Sequence, residues 1–394
     1  MEIIIFLSLL ILLAYFFDIT SKKTKIPTVI LLLLLGFFVR IILDFLNINI
    51  PKLDVVLPIL GTIGLILIVL EGALELEINH TKVKLILTSI FVAIVPIFVL
   101  SFSLSYIISD FFQVSFKYIL INIIPLSIIS SAIAIPSSSS LLKKDKEFVT
   151  YESSISDIIG VMFFNFVTLN DNIGTKTFIG FSLDLFIIII ASFALTIFLV
   201  VFLNKINHHI KFIPILIFII FLYSLSKIVH LPGLIFILIL GLFLGNLKEL
   251  KNIKFVNNLN TLNFQKDLAH FRSITSEVAF LIRAMFFILF GFLLEQKDLL
   301  NFETMYLSFL ITVSIFFIRF LVLKLFFKNI FPLFFIAPRG LITILLFLSI
   351  PKVFEIELIN KSLIIQVIIL TTLFMMFGMM IYKKPPTDES NKAF

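Results

Sequence analysis

The chain is written in long apolar runs separated by short polar breaks. "IIIFLSLLILLAYFF" lies near the start, and runs of similar character follow almost to the end. Within a run the apolar residues are continuous and do not alternate with polar ones as they do in a half-buried strand. Runs of about 20 residues match the thickness of a bilayer crossed by an α-helix, and the alternation of a transmembrane barrel is missing. The pattern predicts an all-α polytopic membrane protein with thirteen transmembrane helices. They lie at roughly 3–19, 27–46, 53–73, 83–108, 118–142, 149–169, 178–203, 210–228, 232–246, 275–295, 305–326, 331–350 and 362–382. The first run lacks a basic leader and a small-residue cleavage site, so it reads as a retained helix rather than a signal peptide.

Charge adds an orientation. Twenty Lys and Arg residues fall in alternate loops, among them Lys22, Lys23, Lys25, Lys143, Lys144, Lys146, Lys248, Lys324 and Lys383. Seven fall in the other loops: Lys52, Lys117, Lys176, Lys227, Lys297, Lys352 and Lys361. The richer set is expected in the cytoplasm, which puts the N-terminus outside and the C-terminus inside a cell (inner) membrane. Arg40, Arg283, Arg319 and Arg339 belong to neither set and lie within spans or near their ends.

Composition agrees with this class. The chain is 60% hydrophobic and 14% charged, against about 25% charged residues in soluble proteins. The net charge of +7 is spread over short loops, which suits anionic lipid rather than nucleic acid. There is no cysteine, which excludes disulfides and thiolate chemistry. The five histidines fall in predicted loops or at helix ends and read as solvated. No cofactor and no resident metal are expected, and the residues after "YKKPP" read as a disordered tail.

The two halves echo each other. "KIPTVILLLLLG" (25–36) returns as "HLPGLIFILILG" (230–241), "LILIVLEGALELE" (65–77) as "MFFILFGFLLEQK" (285–297), and "SAIAIPSSS" (131–139) as "LFFIAPRGL" (333–341). The copies are seven spans apart, an odd number, so they have opposite orientation. Inverted repeats of this kind mark secondary transporters. The expected organisation is a first six-helix repeat at 1–177, a connecting helix at 178–204, a second six-helix repeat at 205–382 and a tail at 383–394. Pro136 and Pro338 occupy matching places in spans five and twelve. A proline there removes a backbone hydrogen bond and disfavours helix in the residue before it. Both spans are therefore expected to break and to cross. The first break is expected at Pro136, which frees the Ala132 carbonyl and pushes Ile135 out of helical geometry. Ser137, Ser138 and the two serines after them can satisfy loose backbone groups, and two broken helices meeting at the midplane would offer free carbonyls to a cation.

"YESSISDIIG" (151–160) runs into the sixth span. On a helix turning about 100° per residue, Glu152, Ser153, Ser156 and Asp157 share one arc. Ser154 falls outside it. Glu152 and Glu147 suit a helix N-terminus, but Asp157 lies about 15 Å deeper than Glu147 by helical rise. Charge at that depth is costly and points to function. A carboxylate beside a hydroxyl is a ligand set for a small hard cation. A bound cation favours the ionised acid and a proton removes its charge. One acid therefore makes the two mutually exclusive, which is the minimum requirement for exchange.

These stretches resemble the monovalent cation:proton antiporters, in the branch of prokaryotic sodium/proton exchangers with thirteen spans. "YESSISD" is similar to that branch's sixth-span pattern, "FIAPRGLI" to its Arg-Gly motif in span twelve, "VLEGALEL" to the end of its third span and "FIRFLVL" to its span-eleven arginine. The resemblance implies a homodimer in which a six-helix core moves against a dimerisation domain. It implies that Asp157 carries the ion or the proton, with Ser153 and backbone carbonyls near Ile135, Pro136 and Ser137 completing the site. It further implies that Glu152 pairs with Arg319 and that Arg339 neutralises dipole ends or acids at the crossing. Two places depart from the branch: serines (137–139) stand where it has an Asp, and Ser156 stands where it has an Asn. The expected function is exchange of Na⁺ or Li⁺ for protons by alternating access, electroneutral because one membrane aspartate sits at the crossing. Competing readings are a K⁺/H⁺ antiporter or efflux protein of the same fold and, from another class, a membrane-embedded enzyme. An intramembrane aspartyl protease needs a second aspartate at matching depth, and none is found in the sequence.

Overall fold

The computed structural model describes residues 2–24, 26–46, 56–76, 82–170, 174–205, 212–228, 231, 233–247, 262–295, 297 and 301–382. His80, His208, His209 and His230, many of the loop lysines used above (Lys25, Lys52, Lys248) and the tail 383–394 lie outside them. Among the described residues the secondary structure is helical, with no β-strand. Fourteen α-helices are described: α1 (Glu2–Thr24), α2 (Thr28–Phe45), α3 (Val56–Glu75), α4 (Val83–Phe112), α5 (Phe116–Ser127), α6 (Ser131–Ser137), α7 (Lys143–Leu169), α8 (Thr175–Lys205), α9 (Phe212–Ile228), α10 (Gly233–Gly245), α11 (Leu262–Phe292), α12 (Phe302–Phe326), α13 (Leu341–Leu348) and α14 (Lys361–Ile381). Nine spans among the described residues are long and apolar enough to cross a membrane, one of them being α5 and α6 taken together.

Several helices run past the apolar runs that predict them. α7 begins at Lys143 rather than near 149, and α11 begins at Leu262 rather than near 275. The added turns, "KKDKEF" and "LNFQKDLAHFRS", are polar but contain good helix formers. Apolarity marks the hydrocarbon boundary, whereas helix continues until its backbone bonding ends.

The helices sort into two bundles. In the first, α2 and α3 lie along α11, α10 lies between α3 and α8, α1 rests on α2 and α11, and α9 joins through α10. In the second, α4 packs on α5, α7 and α12, α14 packs on α12, and α13 lies against α5. α3 forms the wall between them, because it also meets α6, α7 and α13. The span made by α5 and α6 is the most enclosed, with 89% of its apolar window buried against 22% for α8. Along α8, Ile179, Leu183, Phe186, Ile190, Phe193 and Ile197 are exposed. An apolar face of that extent belongs against lipid or another apolar surface.

Glycines set the spacing of the first bundle. A Cβ on Gly36 of α2 would lie 2.0 Å from the Ile288 carbonyl oxygen, and one on Gly291 of α11 would lie 2.2 Å from the Leu33 carbonyl oxygen. The two backbones therefore touch reciprocally. Gly241 of α10 is held the same way against α3, with Ala73 Cβ at 2.4 Å. Close backbone approach through small residues is how membrane helices gain packing energy without a hydrophobic drive. Gly36→Ala should destabilise the protein by about 1–3 kcal/mol, the usual cost of overpacking. Gly180→Ala, with open space around it, should be neutral or stabilising by helix propensity. Thermal unfolding of the two variants in detergent checks this.

Candidate functional site

The site is built where span five loses its helix. α5 contains Pro125, which lacks an N–H, and ends at Ser127. The residues that follow, Ile128, Ile129 and Ser130, are β-branched or compete for backbone bonds and do not favour helix. Ile128 and Ser130 are extended, with ψ of 132° and 114°. Helix resumes at Ser131 and carries Pro136 inside it. The expectation of a break at Pro136 is thus corrected: the chain opens one to two turns earlier. The reason is that α6 is short, so Pro136 falls in its last turn, where the chain passes directly into the 3-10 turn Ser138–Ser140 and one missing bond matters little.

Span twelve opens too. After the turn Leu333–Phe335 the chain is non-helical from Ile336 to Gly340, and α13 follows. The two open stretches meet. Ser130 N–H donates to the Pro338 carbonyl at 2.9 Å. Arg339 donates from Nε to the Leu126 carbonyl at 2.8 Å and from its guanidinium to the carbonyls of Ser127 at 3.1 Å and Ala337 at 2.7 Å. A buried cation thus sits on the C-terminal carbonyls of α5, the negative end of its dipole. Thr371 of α14 accepts the Arg339 N–H at 3.1 Å. Gly340 has to be small, because a Cβ there would lie 2.5 Å from Ile133 Cδ1.

α7 supplies the acids. Ser156 Oγ accepts the Ile129 N–H at 2.9 Å. Asp157 Oδ2 accepts a short hydrogen bond from the Ser131 hydroxyl and the Ser131 N–H at 3.4 Å. Asp157 is 1% exposed, and its other oxygen, Oδ1, has no hydrogen-bond partner. The Ser153 hydroxyl donates to the Val149 carbonyl at 2.7 Å, which leaves its lone pairs free. The Ser130 and Ser154 hydroxyls are also buried and unpartnered. No hydrogen bond reaches the carbonyls of Ile128 and Ile129 from any described residue. One turn further from the crossing, Glu152 and Arg319 form a two-pronged ion pair at 2.6 and 3.1 Å, 1% and 2% exposed. Arg319 also donates to the Leu333 carbonyl at 3.0 and 2.8 Å, fixing the start of the span-twelve segment.

The structure gathers Asp157, Ser153, Ser156, Glu152, Arg319 and Arg339 around this crossing. Among the described residues, Ile135, Pro136, Ser137 and Ser138 make no hydrogen bond to these side chains. Ser138 donates to the Ile135 carbonyl at 2.8 Å, so that carbonyl is occupied. Pro136 and Ser137 instead line a cleft with Asp18, Thr28, Ile133 and Arg283. Ala132, the residue next to Ser131, also lines it. Arg283 is 3.9 Å from Glu71, which also accepts a short hydrogen bond from Ser276, so both charges are engaged in the first bundle. The residues that sequence reasoning passed over are Ser130 and Ser131. Their signal was present in "PLSIISS", a proline followed by residues that do not favour helix.

The profile of the family described as "Sodium/hydrogen exchanger, transmembrane" matches residues 7–383. The chain belongs to the sodium/hydrogen exchanger family. It is therefore a member of a family of cation/proton antiporters and not of an enzyme family. No curated relative matches the sequence. Two solved structures share the exchanger's fold. Both are of the sodium proton antiporter MjNhaP1 from Methanocaldococcus jannaschii. One, at pH 8, is 20% identical with a TM-score of 0.66, and covers 97% of this chain and 96% of that one. The other, from an electron-microscopy map, is 19% identical with a TM-score of 0.68, and covers 98% and 99%.

In this exchanger the Glu152–Arg319 pair is the most deeply buried ion pair among the described residues. Removing one partner strands a charge in a dry interior. Arg319→Met or Glu152→Gln should each cost about 3–5 kcal/mol, and the double variant should recover part of that loss. A double-mutant cycle of detergent melting curves measures it.

Proposed function

We propose that the chain exchanges Na⁺ or Li⁺ for protons, with Asp157 as the single carrier of either. The observation that carries this reading is the buried Asp157 carboxyl, with Oδ2 bound by Ser131 and Oδ1 unpartnered beside the crossing of two open chain segments. A buried polar atom without a partner asks for a ligand. A cation on Oδ1 has further oxygens nearby in kind: the free lone pairs of Ser153 on the same helix face and the unbonded carbonyls of Ile128 and Ile129. These two carbonyls take the role that the resemblance assigns to those near Ile135, Pro136 and Ser137. The MjNhaP1 structures, of a sodium proton antiporter, support sodium as the cation.

The inverted-repeat organisation belongs to the same proposal, with repeats at 1–177 and 205–382, thirteen spans, and spans five and twelve broken. Its support is that equivalent contacts occur twice. α2 packs on α11 through Gly36, and α10 packs on α3 through Gly241. Gly36 and Gly241 close the matched stretches 25–36 and 230–241. The expected topology, with a cytoplasmic C-terminus, and the homodimer are likewise part of the reading. Transport then consists of the second bundle shifting along the α3 wall, so that the crossing faces each side in turn.

The charges at the crossing support one-for-one exchange. Glu152 is neutralised by Arg319, and Arg339 is spent on carbonyl dipoles, which leaves one titrating acid and one proton per cation. In everted vesicles, Na⁺ or Li⁺ should dequench a trapped pH dye, and Asp157→Asn should abolish the signal. An imposed membrane potential should leave the rate unchanged; a rate that follows the potential overturns electroneutrality. Competition at one acid also sets the pH dependence. Where the proton fills the site, each unit of acidification should raise the apparent KM for the cation about tenfold. The maximal rate at saturating cation should stay constant.

A further inference from the structure

Two lysines bridge the bundles, one on each face of the protein. At the cleft face, Lys146 in the first turn of α7 reaches Glu75 in the last turn of α3, with Nζ–Oε2 at 3.4 Å. At the opposite face, Lys361, the first residue of α14, donates to the carbonyl of Leu293, just past the end of α11, at 2.7 Å. α7 and α14 belong to the second bundle, and α3 and α11 to the first. Other charged contacts near these ends lie within one bundle, among them Lys82 with Glu147, and Arg40 with Asp44, Glu295 and the Phe292 carbonyl.

The two bridges occupy equivalent places in the repeat. The stretch 65–77, which holds Glu75, matches 285–297, which holds Leu293. α7 and α14 each end a six-helix repeat. Each copy therefore sends a lysine from the N-terminus of its sixth helix to the C-terminus of its third. Inversion places the two contacts on opposite faces. They are not equally tight. The Lys361 bond is short and part-buried, whereas the Lys146 pair is long, with side chains 40% and 49% exposed beside the cleft.

We propose that these contacts are a pair of alternating clasps. Lys361 on the Leu293 carbonyl holds the face opposite the cleft shut in this conformation. Lys146 and Glu75, loosely paired here at 3.4 Å, tighten to close the cleft face in the alternate conformation, when the Lys361 bond releases. The inference rests on the transport reading above only for its use; the clasps bias a two-state bundle contact whether or not cations are carried. A contact made in one state shifts the population by its differential strength between states.

The absence of native cysteine makes the test direct. Ser139→Cys on the cleft is labelled with a membrane-impermeant maleimide in vesicles, and its rate reports how much of the population is open at that face. Lys361→Met should lower the rate at least about threefold, since a hydrogen bond to a charged group is lost from the open-cleft state. Lys361→Arg should restore it. Lys146→Met and Glu75→Gln should raise the rate, and an unchanged rate in both overturns the clasp at that face. Opposite signs from the two faces are the result expected of clasps. Equal responses in the two faces' variants, no response to Lys361→Met, or a fall that arginine does not restore overturns the proposal. Dye dequenching by Na⁺ in the parent chain separately reports on transport, so failure of that reading and failure of the clasps are distinguishable.

Discussion

The structure depends on how two lengths of non-helical backbone are kept bonded inside a membrane protein. Hydrocarbon supplies no hydrogen bonds, so open chain survives there only where protein partners meet its N–H and C=O groups. Here nearly every partner comes from the crossing itself. The Pro338 carbonyl takes the Ser130 N–H, Ser156 takes the Ile129 N–H, Asp157 takes the Ser131 N–H, and Arg339 covers the carbonyls of Leu126 and Ser127. Span five cannot open as it does without α7 and the span-twelve segment around it.

The same accounting explains the site. Once the crossing is satisfied, the groups left over include Asp157 Oδ1, the hydroxyls of Ser130 and Ser154, and the carbonyls of Ile128 and Ile129. They are all oxygens. An oxygen-only set with one carboxylate suits a hard monovalent cation or a proton and offers nothing to a soft metal. Arg319 and Arg339 matter because they are committed. Held by Glu152 and by main-chain carbonyls, they brace the segments on either side of Asp157 while leaving its second oxygen unbonded.

Much of this was legible in the sequence. The apolar runs located the membrane helices, since length and continuity reflect bilayer thickness directly. Asp157 stood out because a carboxylate so far along an apolar helix has few structural uses, and the pairing of Glu152 with Arg319 followed from the cost of leaving either alone. The position of the break was misread. Pro136 is the more visible signal, but a proline in the last turn of a short helix removes little. The opening at 128–130 is instead stabilised by partners from α7 and span twelve, and such tertiary bonds leave no local mark. Helix ends beyond the membrane were misjudged for a related reason: the polar turns at 143–148 and 262–274 are helical without being apolar.

The central claim is that one carboxyl holds a proton or a cation and never both. Proton release on cation binding tests it most directly. Purified protein in weakly buffered detergent, at a pH acid enough to load the site, is mixed with saturating Na⁺ or Li⁺ and the liberated protons are counted. The account predicts about one proton per chain, and none from Asp157→Asn. Cation binding without proton release, or equal release from the asparagine variant, contradicts it.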